Sequence, residues 1–405
     1  MASSAARQIS IHPTDVKGVA DNSEFRKLSP NEGTFTVVSE PVTKDSATRK
    51  DFGAAGDSTI TGEDVTGDLG TFDFFPQFSG EDDFLLLASI YATGWVELDS
   101  VAGHQVAIDG ATYNGTTGVL DLTAASGGIP DQLVDGQAVE LYLDADNYFV
   151  VELTEITPQT WAVSPAPAAG SGVGELPATL PVGWKMISER ARNALETWEM
   201  DIKDYQTDIG VAEYFPYALF QSGTWAFNIE ENIQFTSSVT GLYSDYKEND
   251  ETYPGETLIT PTAHPIMVTG DDSAQLIIDG VNQALGCAVS SLELTIERTI
   301  NTKKGVFVKG SCGLNASNLD ITGSMTVAFQ DVAYIQRAKE NTPLGMFISF
   351  PHSDNIGYAI SVPRFFTQPS KSEQDEEVIL DTEFTAAHDD SLGFAIQYCR
   401  FRRAV

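Results

Sequence analysis

Short segments in which apolar and polar residues alternate fill most of this chain from about Phe35 onward, and Gly, Asp, Asn and Pro separate them. Alternation with a period of two is typical of strands that bury one face, and the separating residues favour turns. Clear examples lie at residues 197–202, 224–229 and 292–297. The pattern therefore predicts a mainly β protein.

Two segments interrupt the β pattern and predict helices. In residues 79–94, Ser79 is suited to cap a helix, the acidic residues that follow stabilise its N-terminal end, and Gly94 can end it. Residues 331–341 predict a second helix, which ends before Pro343. The expected architecture is thus a β protein with two isolated helices.

Each predicted helix follows a similar strand. Residues 64–69 read DVTGDL and residues 320–325 read DITGSM, so both strands open with Asp, an apolar residue and Thr-Gly. After each helix the chain continues as a strand, an acidic loop and a final pair of strands, over residues 198–235 and 358–398. We interpret this order as an internal duplication. Two unrelated strand–helix–strand units are the alternative, because the two copies share few identities.

The first copy contains extra material between its helix and the strand that follows. Residues 104–166 are a run of short strands, and a Pro/Ala/Gly tract typical of a linker follows them. This predicts a small β-barrel or sandwich inserted in a loop, where an insertion disturbs a fold least. The predicted division of the chain is an extended N-terminal arm (1–34), a first module (35–103 and 185–258), the inserted β domain (104–184) and a second module (259–405).

The charge of the chain restricts its partners. The net charge is −35, and no Lys or Arg occurs between Asp51 and Trp184. The same stretch is rich in β-branched and aromatic residues, so it is expected to fold rather than to form an acidic tail. A folded protein this acidic repels nucleic acid. The charge therefore disfavours a conventional DNA-binding protein and favours either a salt-adapted surface or a wall past which a polyanion slides.

Motifs for catalysis and cofactor binding are absent from the sequence. The five histidines have no metal-ligand spacing, and the chain contains no phosphate-binding loop, dinucleotide fingerprint or nucleophile elbow. Acidic pairs suited to glycoside hydrolysis are expected by chance among 58 acidic residues. Residues 144–147 resemble part of a calcium loop but lack its later Gly and Glu, so they predict a hairpin turn. We therefore predict no enzyme activity, no cofactor and no metal site.

The cysteines and the N-terminus indicate the compartment in which the chain folds. The three cysteines are odd in number and widely spaced, which favours buried thiols in a reducing environment. The N-terminal residues have no apolar core that could act as a secretion signal, and no apolar run is long enough for a membrane span. We expect a protein that is made in a cytoplasm and has no membrane anchor.

This pattern resembles the tail tube (major tail) proteins of long non-contractile tailed bacteriophages, the siphovirus-like phages. The likeness covers most of residues 35–103 and 186–405. It is carried by the segments 65–69, 82–88, 197–201, 322–325 and 363–365, together with Trp95. The resemblance implies β-sandwich or half-barrel modules, each with a flanking helix, that join into rings around a channel and stack into a tube. It also implies a virion tail protein, assembled in the host cytoplasm, whose partners are the tape measure protein, the tail-end proteins and DNA as a transiting, repelled cargo.

Two modules in one chain favour a ring of three chains with pseudo-sixfold symmetry, and a ring of six chains is the alternative. Acids on the polar faces of the module strands are candidates to line the lumen: Asp64, Asp68, Glu199, Asp201, Glu293, Glu297 and Asp320. Basic residues near the two chain ends are candidates for ring–ring contacts: Arg7, Lys17, Arg26, Lys27, Arg400, Arg402 and Arg403.

Two other functions fit the sequence less well. An acidic extracellular carbohydrate-active β protein from a salt-loving organism is expected to carry a signal peptide, which the sequence lacks. A virion decoration or receptor-binding protein is the second alternative, and the inserted domain alone would be sufficient for that function. A test of assembly separates these functions. A tube protein is expected to form rings or filaments, and an enzyme is expected to stay monomeric or dimeric.

Overall fold

A computed structural model describes most of the chain, and the account below concerns the parts it describes. These are residues 7–14, 24–45, 58–74, 84–92, 95–97, 108–122, 137–142, 148–164, 175–180, 185–188, 199–248, 257–260, 266–269, 275–278, 281–282, 289–305, 311–328, 336, 339–352, 356–374, 377–390 and 393–402. They are mainly β-strands, which confirms the predicted fold class.

The elements are as follows. Up to residue 97 they are β1 (Arg7–Thr14), β2 (Glu24–Leu28), β3 (Val38–Asp45), β4 (Ser58–Asp73), α1 (Phe84–Ile90) and β5 (Val96–Glu97). Residues 108–180 contain β6 (Ile108–Asn114), β7 (Val119–Asp121), β8 (Gln137–Tyr142), β9 (Tyr148–Thr157), β10 (Thr160–Ser164) and β11 (Glu175–Leu180). Then come β12 (Lys185–Ser188), β13 (Glu199–Gln206), β14 (Val211–Asn228), β15 (Gln234–Gly241), β16 (Asp245–Glu248), β17 (Thr257–Ile259), β18 (Gln275–Ile278) and β19 (Val281–Asn282). The last are β20 (Val289–Glu297), β21 (Ile300–Lys304), β22 (Ser311–Ala316), β23 (Asp320–Ala328), β24 (Leu344–His352), β25 (Ile356–Gln374), β26 (Glu377–Ala386) and β27 (Gln397–Arg402).

The large sheet contains the same strand order twice. In the first half of the chain the antiparallel neighbours run β3–β4–β15–β14–β13. In the second half they run β20–β23–β26–β25–β24. Helix α1 lies between the second and fifth strand of the first run, at the place in the chain where residues 336 and 339–340 are helical in the second. The two runs join through pairing of β14 with β20. This repeat supports the interpretation of an internal duplication.

An irregularity in the sheet also occurs twice. The pairing of β13 with β14 shifts register between Met200↔Ala218 and Ile202↔Phe215. The pairing of β24 with β25 shifts between Leu344↔Phe365 and Met346↔Val362. In both cases the longer strand carries a proline at the shift, Pro216 in β14 and Pro363 in β25. Because a bulge is a specific local feature, its recurrence at matching positions strengthens the correspondence between the two halves.

The first predicted helix is present, but its described part is shorter than predicted. Helix α1 covers Phe84–Ile90, and the predicted cap Ser79 and stop Gly94 lie outside the described residues. Tyr91 follows the helix in the left-handed conformation, with a φ of 54°. Asn341 follows the helical residues 339–340 in the same conformation, with a φ of 52°. The remainder of the second predicted helix lies outside the described residues.

The predicted N-terminal arm is wrong for the part of it that the structure describes. Strand β1 pairs with β13 along its whole length and also with β2, so both segments belong to the large sheet. The reason lies in the segment itself, because Ile9 and Ile11 alternate with polar residues and are buried.

Strands β6 to β11 form a closed barrel in the order β10–β7–β6–β11–β8–β9. They lie within the segment predicted to be an inserted β domain. Large apolar side chains fill the barrel: Tyr113, Leu120, Leu141, Leu153 and Trp161 are at most 2% exposed. The barrel therefore has a packed core of its own.

In the part of the chain that the structure describes, no helix has the length and apolarity that a membrane span requires.

The core of the large sheet centres on Trp225 of β14, which is fully buried. Its ring lies 4.7 Å from that of Phe74 and 4.8 Å from that of Phe235, measured between centroids. Its Nε1 donates to the hydroxyl of Tyr398 at 3.3 Å. Burial raises the pKa of Tyr398 to about 12, so this hydroxyl stays neutral. Trp225 thus ties β14 to β4, β15 and β27.

We expect Trp225→Ala to destabilise the subunit by about 4 kcal/mol, because the substitution removes a large buried ring and leaves a cavity. Trp225→Phe keeps an aromatic ring and is the matched control, with an expected loss of less than half as much. Urea unfolding at a protein concentration that keeps subunits apart measures both. A loss below about 1 kcal/mol for the alanine variant would contradict this account of the core.

Candidate channel-lining face

One face of eight neighbouring strands carries polar side chains, whereas the other face supplies the core. We call it the polar face and define it by residues that pair across β3, β4, β15, β14, β20, β23, β26 and β25. Its polar residues are Thr36, which lies just before β3, and Glu40, Asp64, Thr66, Asp68, Thr71, Asp73, Gln234, Thr236, Ser238, Ser222, Thr224, Thr295, Glu293, Glu297, Asp320, Thr322, Ser324, Thr326, Asp381, Glu383, Thr385 and Gln368. Three apolar residues, Val38, Ala226 and Phe366, lie in the same rows. No Lys or Arg occupies these positions.

Hydroxyl groups hydrogen-bond one another across the polar face. The Oγ atoms of Ser222 and Ser238 are 2.6 Å apart, and the Oγ1 atoms of Thr224 and Thr295 are 3.0 Å apart. The second of these pairs spans the junction between the two halves of the sheet. These contacts fix the hydroxyl groups at the centre of the face, and the polar residues that define it are neutral or acidic.

Amide groups surround the acid at one end of the polar face. The carboxylate of Asp73 accepts hydrogen bonds from Asn31 Nδ2 at 3.2 Å, from Asn232 Nδ2 at 3.2 Å and from Gln234 Nε2 at 3.0 Å. These three donors are neutral amides, so the contacts fix the position of the Asp73 side chain without adding a cation to the face.

Two cations lie at the border of the polar face. The Nζ atom of Lys304 is 2.7 Å from the carboxylate of Asp64. Lys304 belongs to the hairpin of β21 and β22, and Asp64 to β4, so this ion pair joins the two halves of the chain. The guanidinium of Arg364 lies 5.4 Å from the ring centre of Phe366.

A family model for phage tail tube proteins matches residues 8–386. This chain belongs to the phage tail tube protein family. The match spans the strands of both halves of the large sheet and the barrel between them, and it confirms the resemblance seen in the sequence. As a member of this family the chain is a structural protein of the phage tail that self-assembles into a tube. No curated protein matches the chain.

Four of the seven acids that the sequence predicts for the lumen of the tail tube protein are exposed on the polar face. They are Asp68, Glu293, Glu297 and Asp320. Asp64 is also on this face but is half-buried beside Lys304. Glu199 is half-buried on β13, outside the eight strands that define the face.

The prediction for Asp201 is wrong. Its side chain is 1% exposed, and its Oδ1 accepts a hydrogen bond from the backbone N–H of Tyr217 at 3.0 Å. Strand β13 is covered on both faces where Asp201 lies, as the buried neighbours Met200 and Ile202 show. This carboxylate therefore has a structural role at the bulge in β14.

The basic residues predicted for ring–ring contacts are not gathered at one surface. Arg7 donates two hydrogen bonds to Asp204, at 2.9 and 2.7 Å, within the same subunit. Arg400 is 3% exposed, with its guanidinium 4.6 Å from the ring centre of Trp95, so its predicted role in docking is wrong. Arg26 and Lys27 are half-buried in β2, and Arg402 is the last residue of β27. Lys17 and Arg403 lie outside the described residues.

Three residues of structural or electrostatic importance went unrecognised in the sequence. Glu383 is exposed on the polar face beside Ser324, and the alternation within β26 was a signal for it. Gly67 and Gly323 occupy matching positions in β4 and β23. A Cβ at Gly67 would lie 2.5 Å from the carbonyl oxygen of Thr36, and one at Gly323 would collide with the carbonyl oxygen of Glu293. The shared Thr-Gly was visible in the sequence, but the crowding was not.

Proposed function

We propose that three copies of this chain form a ring with pseudo-sixfold symmetry, and that the polar faces of the copies together line a channel for double-stranded DNA. The rings stack into the tube of a long, non-contractile tail. A ring of six chains is the alternative. The observation that carries the proposal is the continuity of the polar face across the β14–β20 junction, because each chain then already contains two neighbouring segments of such a wall.

The chemistry of the polar face suits the passage of DNA. A duplex carries one negative charge for about every 1.7 Å of its axis, and each Lys or Arg on a wall would bind phosphate. The polar face offers carboxylates and hydroxyls instead, and Asp68, Glu293, Glu297 and Glu383 are exposed on it. Such a wall repels the DNA backbone weakly along its whole length, so DNA slides without stopping.

The wider setting follows from the same proposal. The tube assembles in the cytoplasm of the bacterial host around a tape measure protein, and proteins at the tail ends limit it. DNA then crosses the tube during ejection as a repelled cargo. The protein works through assembly and contains no catalytic step, and it needs neither a cofactor nor a membrane anchor.

Electron micrographs and sedimentation of the purified protein test the proposal. Raised salt screens the repulsion between acidic subunits, so we expect rings and tubes to increase with salt and protein concentration. The smallest closed species should have three times the subunit mass of 43.7 kDa. A species of six chains would support the alternative ring. Subunits that stay single at high salt and high protein concentration would overturn the proposal and favour a decoration protein or an enzyme.

A further inference from the structure

The junction between the two halves of the sheet provides a template for a contact between chains. The second half of β14 has a strand on each side. One neighbour is β15, and the other is β20, whose residues Ser291–Glu297 run antiparallel to Ser222–Asn228. Strand β20 opens the second run of five strands, so at this junction the start of one run pairs with the fourth strand of the run before it.

Among the described strands, the corresponding edges at the two ends of the repeated sheet have one strand neighbour each. Strand β25 matches β14, and the described pairing of its second half, Gln368–Gln374, is with β26 alone. Strand β3 matches β20, and its described pairing is with β4 alone. One chain therefore presents one edge of each kind, and an edge without a neighbour is a site for pairing with another chain.

The internal repeat also gives the register. Thr224 pairs with Thr295 across the junction. When Gly67 is aligned with Gly323, Thr236 of β15 becomes equivalent to Asp381 of β26. Thr224 pairs with Thr236, and Ser370 pairs with Asp381, so Thr224 corresponds to Ser370. Thr295 pairs with Thr322 as Val38 pairs with Thr66, so Thr295 corresponds to Val38.

We propose that residues Gln368–Gln374 of one chain pair antiparallel with residues Thr34–Glu40 of a second copy, with Ser370 opposite Val38 of that copy. The inference rests on the proposed function, since it states how the ring closes. One exposed side chain supports it. Val38 is apolar and 47% exposed on the polar side of its strand, and a neighbouring strand would cover it.

A contact at the border of the polar face points to the same arrangement. The hairpin of β21 and β22, which connects β20 to β23, places Lys304 on Asp64 of the preceding half. Asp320 occupies the position of Asp64 in the second half and is exposed. In the proposed pairing Asp320 lies beside the second copy, as Asp64 lies beside the hairpin of the second half within one chain.

Disulfide cross-linking tests the register. In a background with Cys287→Ser and Cys312→Ser, the variant Val38→Cys/Ser370→Cys should form covalent dimers and trimers that reducing agent dissolves. Residues directly opposite each other in an antiparallel pair have the spacing that a disulfide needs. The positive control is Thr224→Cys/Thr295→Cys, whose native Oγ1 atoms are 3.0 Å apart and whose disulfide stays within one chain.

The off-register control is Ser39→Cys/Ser370→Cys, in which one cysteine points to the opposite face of the sheet. We expect at least about tenfold less covalent trimer from it, since its cysteines lie outside disulfide geometry. If the largest covalent product of Val38→Cys/Ser370→Cys contains three chains, it supports the trimeric ring. A largest product of six chains supports the alternative ring with the same pairing. Equal cross-linking by both variants would overturn the register.

The outcomes separate this inference from the proposed function. Rings in micrographs without cross-linking of Val38→Cys/Ser370→Cys would overturn the pairing and leave the tube intact. Absence of rings from the unmodified protein would overturn both. If the cysteines themselves prevent assembly, hydrogen exchange on the unmodified protein decides. The alternate amides of residues 34–40 and 368–374 that point away from β4 and β26 should become protected in rings, whereas the Thr36 amide already bonds Asp68 within the chain. Unchanged exchange at both sets would overturn the pairing.

Discussion

Gly323→Ala should destabilise the subunit by about 3 kcal/mol, at the upper end of the usual loss from overpacking. A Cβ at this position would collide with the backbone carbonyl of Glu293 and with the ring of Phe384. A carbonyl in the centre of a sheet cannot move aside without breaking the β20–β23 ladder. The same loss or more is expected for Gly67→Ala, because Gly67 also has a φ of +150°, which side chains with a Cβ rarely adopt.

Gly313→Ala is the matched control for both substitutions. Gly313 lies in the hairpin strand β22, and nothing is within 4 Å of the position a Cβ would take. Urea unfolding followed by tryptophan fluorescence should show a lower midpoint for the two crowded positions and a change within about 0.5 kcal/mol for the control. The two positions would not be equivalent if the losses of unfolding free energy for Gly67→Ala and Gly323→Ala differed from each other as much as they differ from the control.

The repeat can be recognised in the sequence from its two Thr-Gly strands, because the backbone of the neighbouring strand leaves room only for glycine at that position. Gly67 lies against the carbonyl of Thr36, and Gly323 against that of Glu293. A strand that needs glycine at one position shows it in any copy, whereas its apolar residues can be exchanged freely for others of similar size. Few identities therefore survive, and the mainly β fold, α1 and the two similar strands could still be predicted.

Burial of individual charged residues could not be predicted, since it depends on pairings between distant parts of the chain. Asp201 and Arg400 sit in segments whose alternation would allow either face to be exposed. Asp201 is buried because β13 packs at the bulge in β14, and Arg400 because Trp95 covers its guanidinium. The N-terminal strand was missed for a related reason, because its short alternation acquires meaning only beside β13.

Reversal of charge on the polar face should turn a channel that repels DNA into one that retains it. The variant Glu293→Lys/Glu297→Lys/Glu383→Lys replaces three exposed acids on β20 and β26, the two strands that flank β23. Tubes assembled from the unmodified protein with linear duplex DNA should contain no DNA that resists nuclease. Tubes of the variant should protect DNA at low salt and release it as salt rises. With several phosphate contacts per ring, DNA affinity should fall by about a thousandfold between about 50 and 200 mM salt.

The matched control moves the same charges away from the proposed channel. Glu155→Lys/Asp208→Lys/Glu340→Lys changes three acids of the barrel, of the turn between β13 and β14 and of the second helical segment, and both triple variants bring the net charge from −35 to −29. If charge alone mattered, both would behave alike. In our proposal the polar face lines the channel, so the control tubes should bind DNA only on their outer surface, where nuclease can digest it. Nuclease-resistant DNA in the control tubes, or none in the first variant, would show that the polar face is not the lumen.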